Sequence, residues 1–225
     1  MRYDRIAPEK ITVVQNGVDA DAFSAGDRAR ARLAIGIPEG AQVIGTMGRL
    51  SKQKGQRHLI EALALIKDTH PKAMVLIIGE GSHQAALERL AADTGVAERV
   101  RFLAVRRDIP DMLAAMDIFA MPSLWEGMSN ALIEAMAAAK PIVASAIPPF
   151  VEVLTDGTDA LLVPPEDSVA LGSAMARLLD EPVLARSISM AARAKAVARF
   201  GIDATTARWQ SLYLDILRSK GYANA

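Results

Sequence analysis

The 225-residue chain contains no cysteine, which excludes disulfides, thiolate catalysis and any sulfur-ligated metal. Histidine is almost as scarce. His58, His70 and His83 are scattered, with no pair at helical ligand spacing, so no metal site is expected. There is no surplus of positive charge either: Lys plus Arg equals Asp plus Glu at 26 each. That balance argues against binding nucleic acid by neutralising phosphates along a basic face. A small anionic ligand held by a few local cations stays open. No apolar run approaches the roughly 20 residues that span a bilayer, and the opening MRYDRIAPEK has none of the features of a signal peptide. These absences lead to the expectation of a soluble, cytoplasmic protein.

What is present is a large hydrophobic fraction, 51% of residues, enough for a sizeable core. Length alone, at about 150 residues per domain, does not decide between one domain and two. The pattern along the chain is more informative. Ile11 to Val14 (ITVV) reads as an edge or linker strand that stops at the turn signal Asn16-Gly17. A short helix follows over 27–35, closed by Gly36 and Pro38. Then apolar runs alternate with helical patterns: strand 42–47, helix 56–69, strand 73–78, helix 83–93, strand 99–103, helix 109–115 and strand 117–121. The series continues with an Ala-rich helix carrying Glu134, strand 141–145, a short helix near 149–154 and strand 160–163. Strands without polar alternation, interleaved with helices, imply a parallel sheet of about six strands covered on both faces. Three more helices close the chain, over 167–180, 182–199 and 203–218. Right-handed crossovers place the loops at 48–55, 79–82, 104–108, 122–130 and 146–149 on one rim.

Ligands bind outside the carboxyl ends of such strands, and a helix start there offers free N–H groups. The loop from Pro122 to Asn130 sits at that place. Arg49, Lys52 and Lys54 are cations suited to a phosphate, or a solvated basic loop. Glu126 and Glu134 lie eight residues apart. In one regular helix that would separate them by about 12 Å, but with Glu126 in the loop both can face a ligand over the helix start. Carboxylates accept well from the hydroxyls of a sugar or ribose; the alternative is an ordinary ion pair with a nearby cation. Gly79-Glu80-Gly81 lacks the third glycine of a dinucleotide fingerprint and reads as a turn. Trp125 could stack on a sugar or base, or anchor the loop by packing, and the Ala/Met run at 135–139 reads as a packed helix face.

Together these segments resemble a family. Asn16-Gly17-Val18-Asp19 with Phe23, Gly48-Arg49-Leu50 with Lys54-Gly55, Gly79-Glu80-Gly81, Asp117-Ile118-Phe119 through Pro122-Ser123 to Glu126-Gly127, and Glu134-Ala135-Met136-Ala137 carry it, supported by Asp156-Gly157, Leu162-Val163-Pro164 and Asp167. In order and spacing they resemble the C-terminal, donor-binding half of family 4 retaining glycosyltransferases, which have the GT-B fold. The resemblance implies one nucleotide-sugar-binding domain over 1–225: a leading linker or strand (1–24), a Rossmann-like core (25–199), and a crossing helix with tail (200–225). It implies that Arg49 and Lys54 hold the donor diphosphate and stabilise the leaving nucleotide. Gly48 flanks them, Glu126 contacts the transferred sugar, and the amides of Gly127, Met128, Ser129 and Asn130 lie over sugar and phosphate. Glu134 accepts from the ribose, and the base lies near Val105 and Arg106. Cations and a helix start support the departing diphosphate, with no metal or other cofactor.

The chain departs from the family pattern in carrying Ala104, Ala139 and Ala160 at usual glycines and Pro148-Pro149 at a usual Gly-Gly pair, which removes two N–H donors. Family members also have an N-terminal acceptor domain of similar size that is not present in this sequence. The reading is therefore a donor-binding half that transfers a hexosyl group to a glycan or glycolipid only with an acceptor domain, the acceptor lying at the inner membrane face. The alternatives are a split enzyme working with a partner chain, and a non-catalytic interaction module that keeps the fold. A sugar-nucleotide epimerase is a more remote one.

Overall fold

A computed structural model describes residue 7 and residues 10–222. The rest of the leading segment (1–6, 8–9) and of the tail (223–225) lies outside the described residues. The core is a six-stranded, all-parallel sheet in the order β3-β2-β1-β4-β5-β6. Its strands are β1 (Gln42–Met47), β2 (Ala73–Ile78), β3 (Val100–Leu103), β4 (Ile118–Met121), β5 (Ile142–Ser145) and β6 (Leu161–Val163). The helices are α1 (Ala20–Ser24), α2 (Arg28–Ala34), α3 (Gln56–Ile66), α4 (Gln84–Asp93), α5 (Ile109–Ala115), α6 (Asn130–Ala137), α7 (Pro148–Val151), α8 (Ser168–Asp180), α9 (Pro182–Phe200) and α10 (Ile202–Ser219).

Strand β2 shows why the pattern lacks polar alternation. Met74, Leu76 and Ile78 pack into a core shared with α5, α6 and the end of α9. Ala73, Val75 and Ile77 face the opposite core, with α3, α4 and α8. Both pleat faces are dry, so both must be apolar. The sheet's amino edge is fixed by Asp117, whose carboxylate takes Arg28, Arg32 and the N–H of Val43, each at 2.7 Å. Charge-assisted bonds of this kind clamp α2 beneath β1 and β4.

The strand order reverses between β1 and β4. In an open α/β sheet the two loops leaving such neighbouring strands diverge to opposite faces and leave a crevice. Those loops are 48–55 and 122–129, the two richest in candidate site residues.

Two expectations need correction. Ile11 to Val14 forms no strand: Ile11 and Val13 are exposed, and the sheet-like contact nearest to it among the described residues is the bridge from Val18 to Gly201. A β-branched run makes a strand only when an edge is there to receive it. Helix α1 falls in what was read as linker, started by Asp19, whose side chain accepts from the N–H groups of Asp21 and Ala22. Of the three alanines at usual glycines, only Ala139 needs glycine-like backbone, with φ at +51°.

Left-handed backbone costs a residue with a Cβ about 1–2 kcal/mol, partly offset because glycine is floppier when unfolded. Ala139→Gly is therefore expected to stabilise the fold by about 0.5–1 kcal/mol, a rise in Tm of about 2 °C. Thermal unfolding followed by circular dichroism checks this, and a lowered Tm would contradict it.

Candidate functional site

The loop after β1 is held by backbone packing. Gly48 donates to Ile78 O at 3.0 Å and Leu50 to Glu80 O at 2.9 Å. A Cβ on Gly79 would collide with the carbonyl of Gly48, and one on Gly81 with the carbonyl of Leu50. Gly79-Glu80-Gly81 is thus a close-packing turn. A 3₁₀ turn, Lys52–Lys54, then ends in the left-handed Gly55, whose missing Cβ leaves room for the carbonyl of Pro122. From the other side, Leu124 donates to Gln53 O at 2.8 Å, and Gln53 Nε2 donates to Trp125 O at 3.0 Å. The two loops are stitched together along their length.

That stitching brings Lys54 Nζ to 2.6 Å from Glu126 Oε1. The same oxygen accepts from the Ser123 hydroxyl at 2.9 Å. Both side chains are sheltered, at 19% and 7% exposure. An ion pair this dry stands only because each charge compensates the other. Arg49, in contrast, is exposed and has no ion pair among the described residues. Its backbone is fixed by Gln56 Nε2, which donates to Arg49 O at 2.9 Å.

Glu134 stands in a different environment. It lines a cavity of about 360 Å³ with Asn16, Asp19, Phe23 and Asn130, and its carboxylate has no hydrogen bond or ion pair among the described residues. Burial holds its carboxyl above the ordinary carboxylate range. The ion-pair reading therefore holds for Glu126, and among the described residues does not hold for Glu134. The two glutamates share no contact. Asn130 Oδ1, at the start of α6, accepts from Asn16 Nδ2 at 2.7 Å, and this ties the leading segment to the loop.

The remaining positions are less constrained. Ser129 caps α6, Gly127 and Met128 are exposed, and a Cβ on Gly127 would meet nothing. Val105 is exposed, while Arg106 forms a fork with Asp108 at 2.8 and 2.6 Å. Trp125 is half exposed. Pro148 and Pro149 occupy the first turn of α7, where two N–H groups would otherwise stand. Sequence reasoning missed Ser123, Gln53 and the Asn16–Asn130 link. The small polar residues flanking Lys54 and Glu126 were the available hint.

The sequence pattern described as Glycosyl transferases group 1 matches residues 27–195. The chain belongs to that family. It is 32% identical over 222 residues to the UDP-Gal:alpha-D-GlcNAc-diphosphoundecaprenol alpha-1,3-galactosyltransferase of Escherichia coli, covering 96% of this chain and 57% of the relative. The crystal structure of Anabaena HepE in complex with UDP superposes with a TM-score of 0.84 at 28% identity, over 91% of this chain and 57% of that one. The C-terminal domain of a glycosyl transferase group 1 family protein (LpcC) from Francisella tularensis matches over 83% of this chain and 100% of its own, with TM-score 0.75 and 26% identity. The fold is the Rossmann-like half of GT-B. The chain spans about half the length of the curated relatives it matches. No helix among the described residues is long and apolar enough to cross a membrane.

The raised Glu134 pKa has a testable sign. The folded state holds that proton more tightly than the unfolded chain, so the ionised carboxylate penalises folding above both pKa values, and the penalty vanishes as pH falls below the ordinary 4.5. Glu134→Gln is expected to raise Tm at neutral pH, with a gain that shrinks on acidification through this range. Denaturation at several pH values checks it, and an equal or lower Tm at pH 7 would contradict it.

Proposed function

We propose that this chain is the donor-binding half of a retaining glycosyltransferase and takes a nucleoside diphosphate sugar. The observation that carries the reading is the Lys54–Glu126 contact, set at the reversal of strand order. There a cation for a diphosphate and a carboxylate for a sugar hydroxyl stand side by side. The Anabaena relative's structures with UDP and with UDP-glucose support this class of ligand.

In this reading the diphosphate lies across Arg49, Lys54 and the amides from Gly127 to Asn130, with the ribose on Glu134 and the base toward Val105 and Arg106. As the bond from the sugar C1 to the diphosphate oxygen breaks, negative charge grows on the leaving group. Fixed cations and a helix start stabilise that charge, so no metal is required of the site. A hexosyl group would pass to a glycan or glycolipid acceptor presented by an N-terminal domain or a partner chain, at the cytoplasmic face of a membrane. Helix α10 supports the need for such a neighbour. Trp209, Tyr213 and Ile216 share one exposed face of it, the first two stacked at 6.0 Å between ring centroids. A non-catalytic module is the second reading, favoured by Pro148-Pro149, which withdraw two amides from the rim.

Calorimetric titration with UDP, GDP and their sugars separates the two. Lys54→Ala is expected to weaken nucleotide binding by about 10- to 100-fold, the loss of a charge-assisted contact. Glu126→Gln should do the opposite and tighten UDP binding several-fold, because Lys54 no longer has to leave a carboxylate to meet a phosphate. No binding of any nucleotide would refute the donor reading.

A further inference from the structure

On the α3–α4 side of the sheet, away from α6, lies a cavity of about 420 Å³, within the usual size range of small-molecule sites. Leu124 gives it an apolar wall, and His58, His83 and Lys52 stand around it. It shares no lining residue with the Glu134 cavity, and it contains none of Arg49, Lys54 and Glu126.

Two features of this cavity ask for a ligand. The first is unmet hydrogen-bonding capacity. Gln56 is only 2% exposed, and its Nε2 is committed to Arg49 O, yet its Oε1 has no partner among the described residues. The hydroxyl of Ser51 is likewise buried and unpartnered. Buried polar atoms are normally paired, because each orphan costs its desolvation. Both residues are among those that line this cavity. The second feature is a gathering of positive groups, offset only in part by the Glu166 carboxylate and by Glu61, which pairs with Arg57 and His58. Helices α3 and α4 both begin at this cavity, from Gly55 and His83, and neither cap residue offers a side-chain acceptor to the first-turn N–H groups. Converging helix starts, reinforced by the Lys52 ammonium, favour an anion. Glu166, at the rim, holds left-handed backbone at φ +63°, strain of a kind that gathers at binding sites.

We propose that this cavity is a second ligand site, which takes a small phosphorylated polyol of the sugar-phosphate class. Its phosphate lies over the starts of α3 and α4 and on Lys52, and its hydroxyls meet Ser51 and Gln56. The occupant would touch the back of the loops that carry Lys54 and Glu126. The site is independent of the donor reading, since its residues would bind such a ligand whatever occupies the rim.

The three histidines make the test direct. Imidazole proton signals are followed by NMR while glucose 6-phosphate is added, with inorganic phosphate and glucose as separate controls. Saturable shifts are expected at His58 and His83 and none at His70, which contacts Thr69 and Asp180 elsewhere. Either control should bind about tenfold more weakly or worse, the worth of one lost set of contacts. The shifts should persist in Glu134→Gln and vanish in Ser51→Ala. Because the Ser51 hydroxyl is an orphan, Ser51→Ala should keep or raise the Tm of the free chain, so loss of binding is not loss of fold. No saturable shift, an equal response to phosphate alone, a shift abolished by Glu134→Gln, or a lowered Tm for Ser51→Ala would each overturn the proposal.

Discussion

The ion pair between Lys54 and Glu126 is the contact on which the organisation of the rim depends. At 2.6 Å and largely shielded from water, it joins the loop leaving β1 to the loop leaving β4. Neither charge could remain there alone, because an uncompensated buried ion costs several kcal/mol. The pair therefore constrains both loops, and the backbone around it is built to the same end. Gly55 admits Pro122, Gln53 holds Leu124 and Trp125, and Ser123 fixes the carboxylate. A rim assembled in this way is held in place by contacts within the chain itself.

The same packing gives the two glutamates unlike chemistry. Glu126 is held by Lys54 and Ser123, whereas Glu134 stands half-buried without a partner among the described residues, its proton affinity raised by desolvation. A group left in that state destabilises the folded chain, and a ligand hydroxyl or amide that donates to it removes the penalty. Unsatisfied polarity recurs at Ser51 and Gln56, in and just after the loop leaving β1. Both places follow one principle: polar atoms buried without partners mark where stability has been given up.

Much of the fold was legible in the sequence. The strands over 42–47 and 73–78 match residue for residue because both of their faces are buried and the apolar run is continuous. The other four strands each begin one residue later than expected, at Val100, Ile118, Ile142 and Leu161. The ITVV segment misled because β-propensity is realised only against a neighbour, and the sheet has no place for it there. In the site, residue types and loop positions could be read directly, but pairings could not. Lys54 and Glu126 lie 72 positions apart, and nothing local in the chain distinguishes a glutamate that will meet a lysine from one that will meet none. Only the strand order, with β1 beside β4, decides it.

The segment before α1 and the start of α10 also meet. Val18 donates to Phe200 O at 2.7 Å, and Ile202 returns a bond to Val18 O at 3.0 Å. The segment before α1 is thereby fastened to the start of α10. Two residues earlier, Asn16 grips Asn130 at the start of α6. A continuous series of contacts runs from the first turn of α10 to the loop bearing Glu126. The apolar face carried further along α10 is exposed, and in water such a face gains from being covered. The base of the helix that carries this face is bonded to Val18, and Asn16 bonds to the start of α6, so the exposed face and the rim belong to one connected set of contacts within the domain.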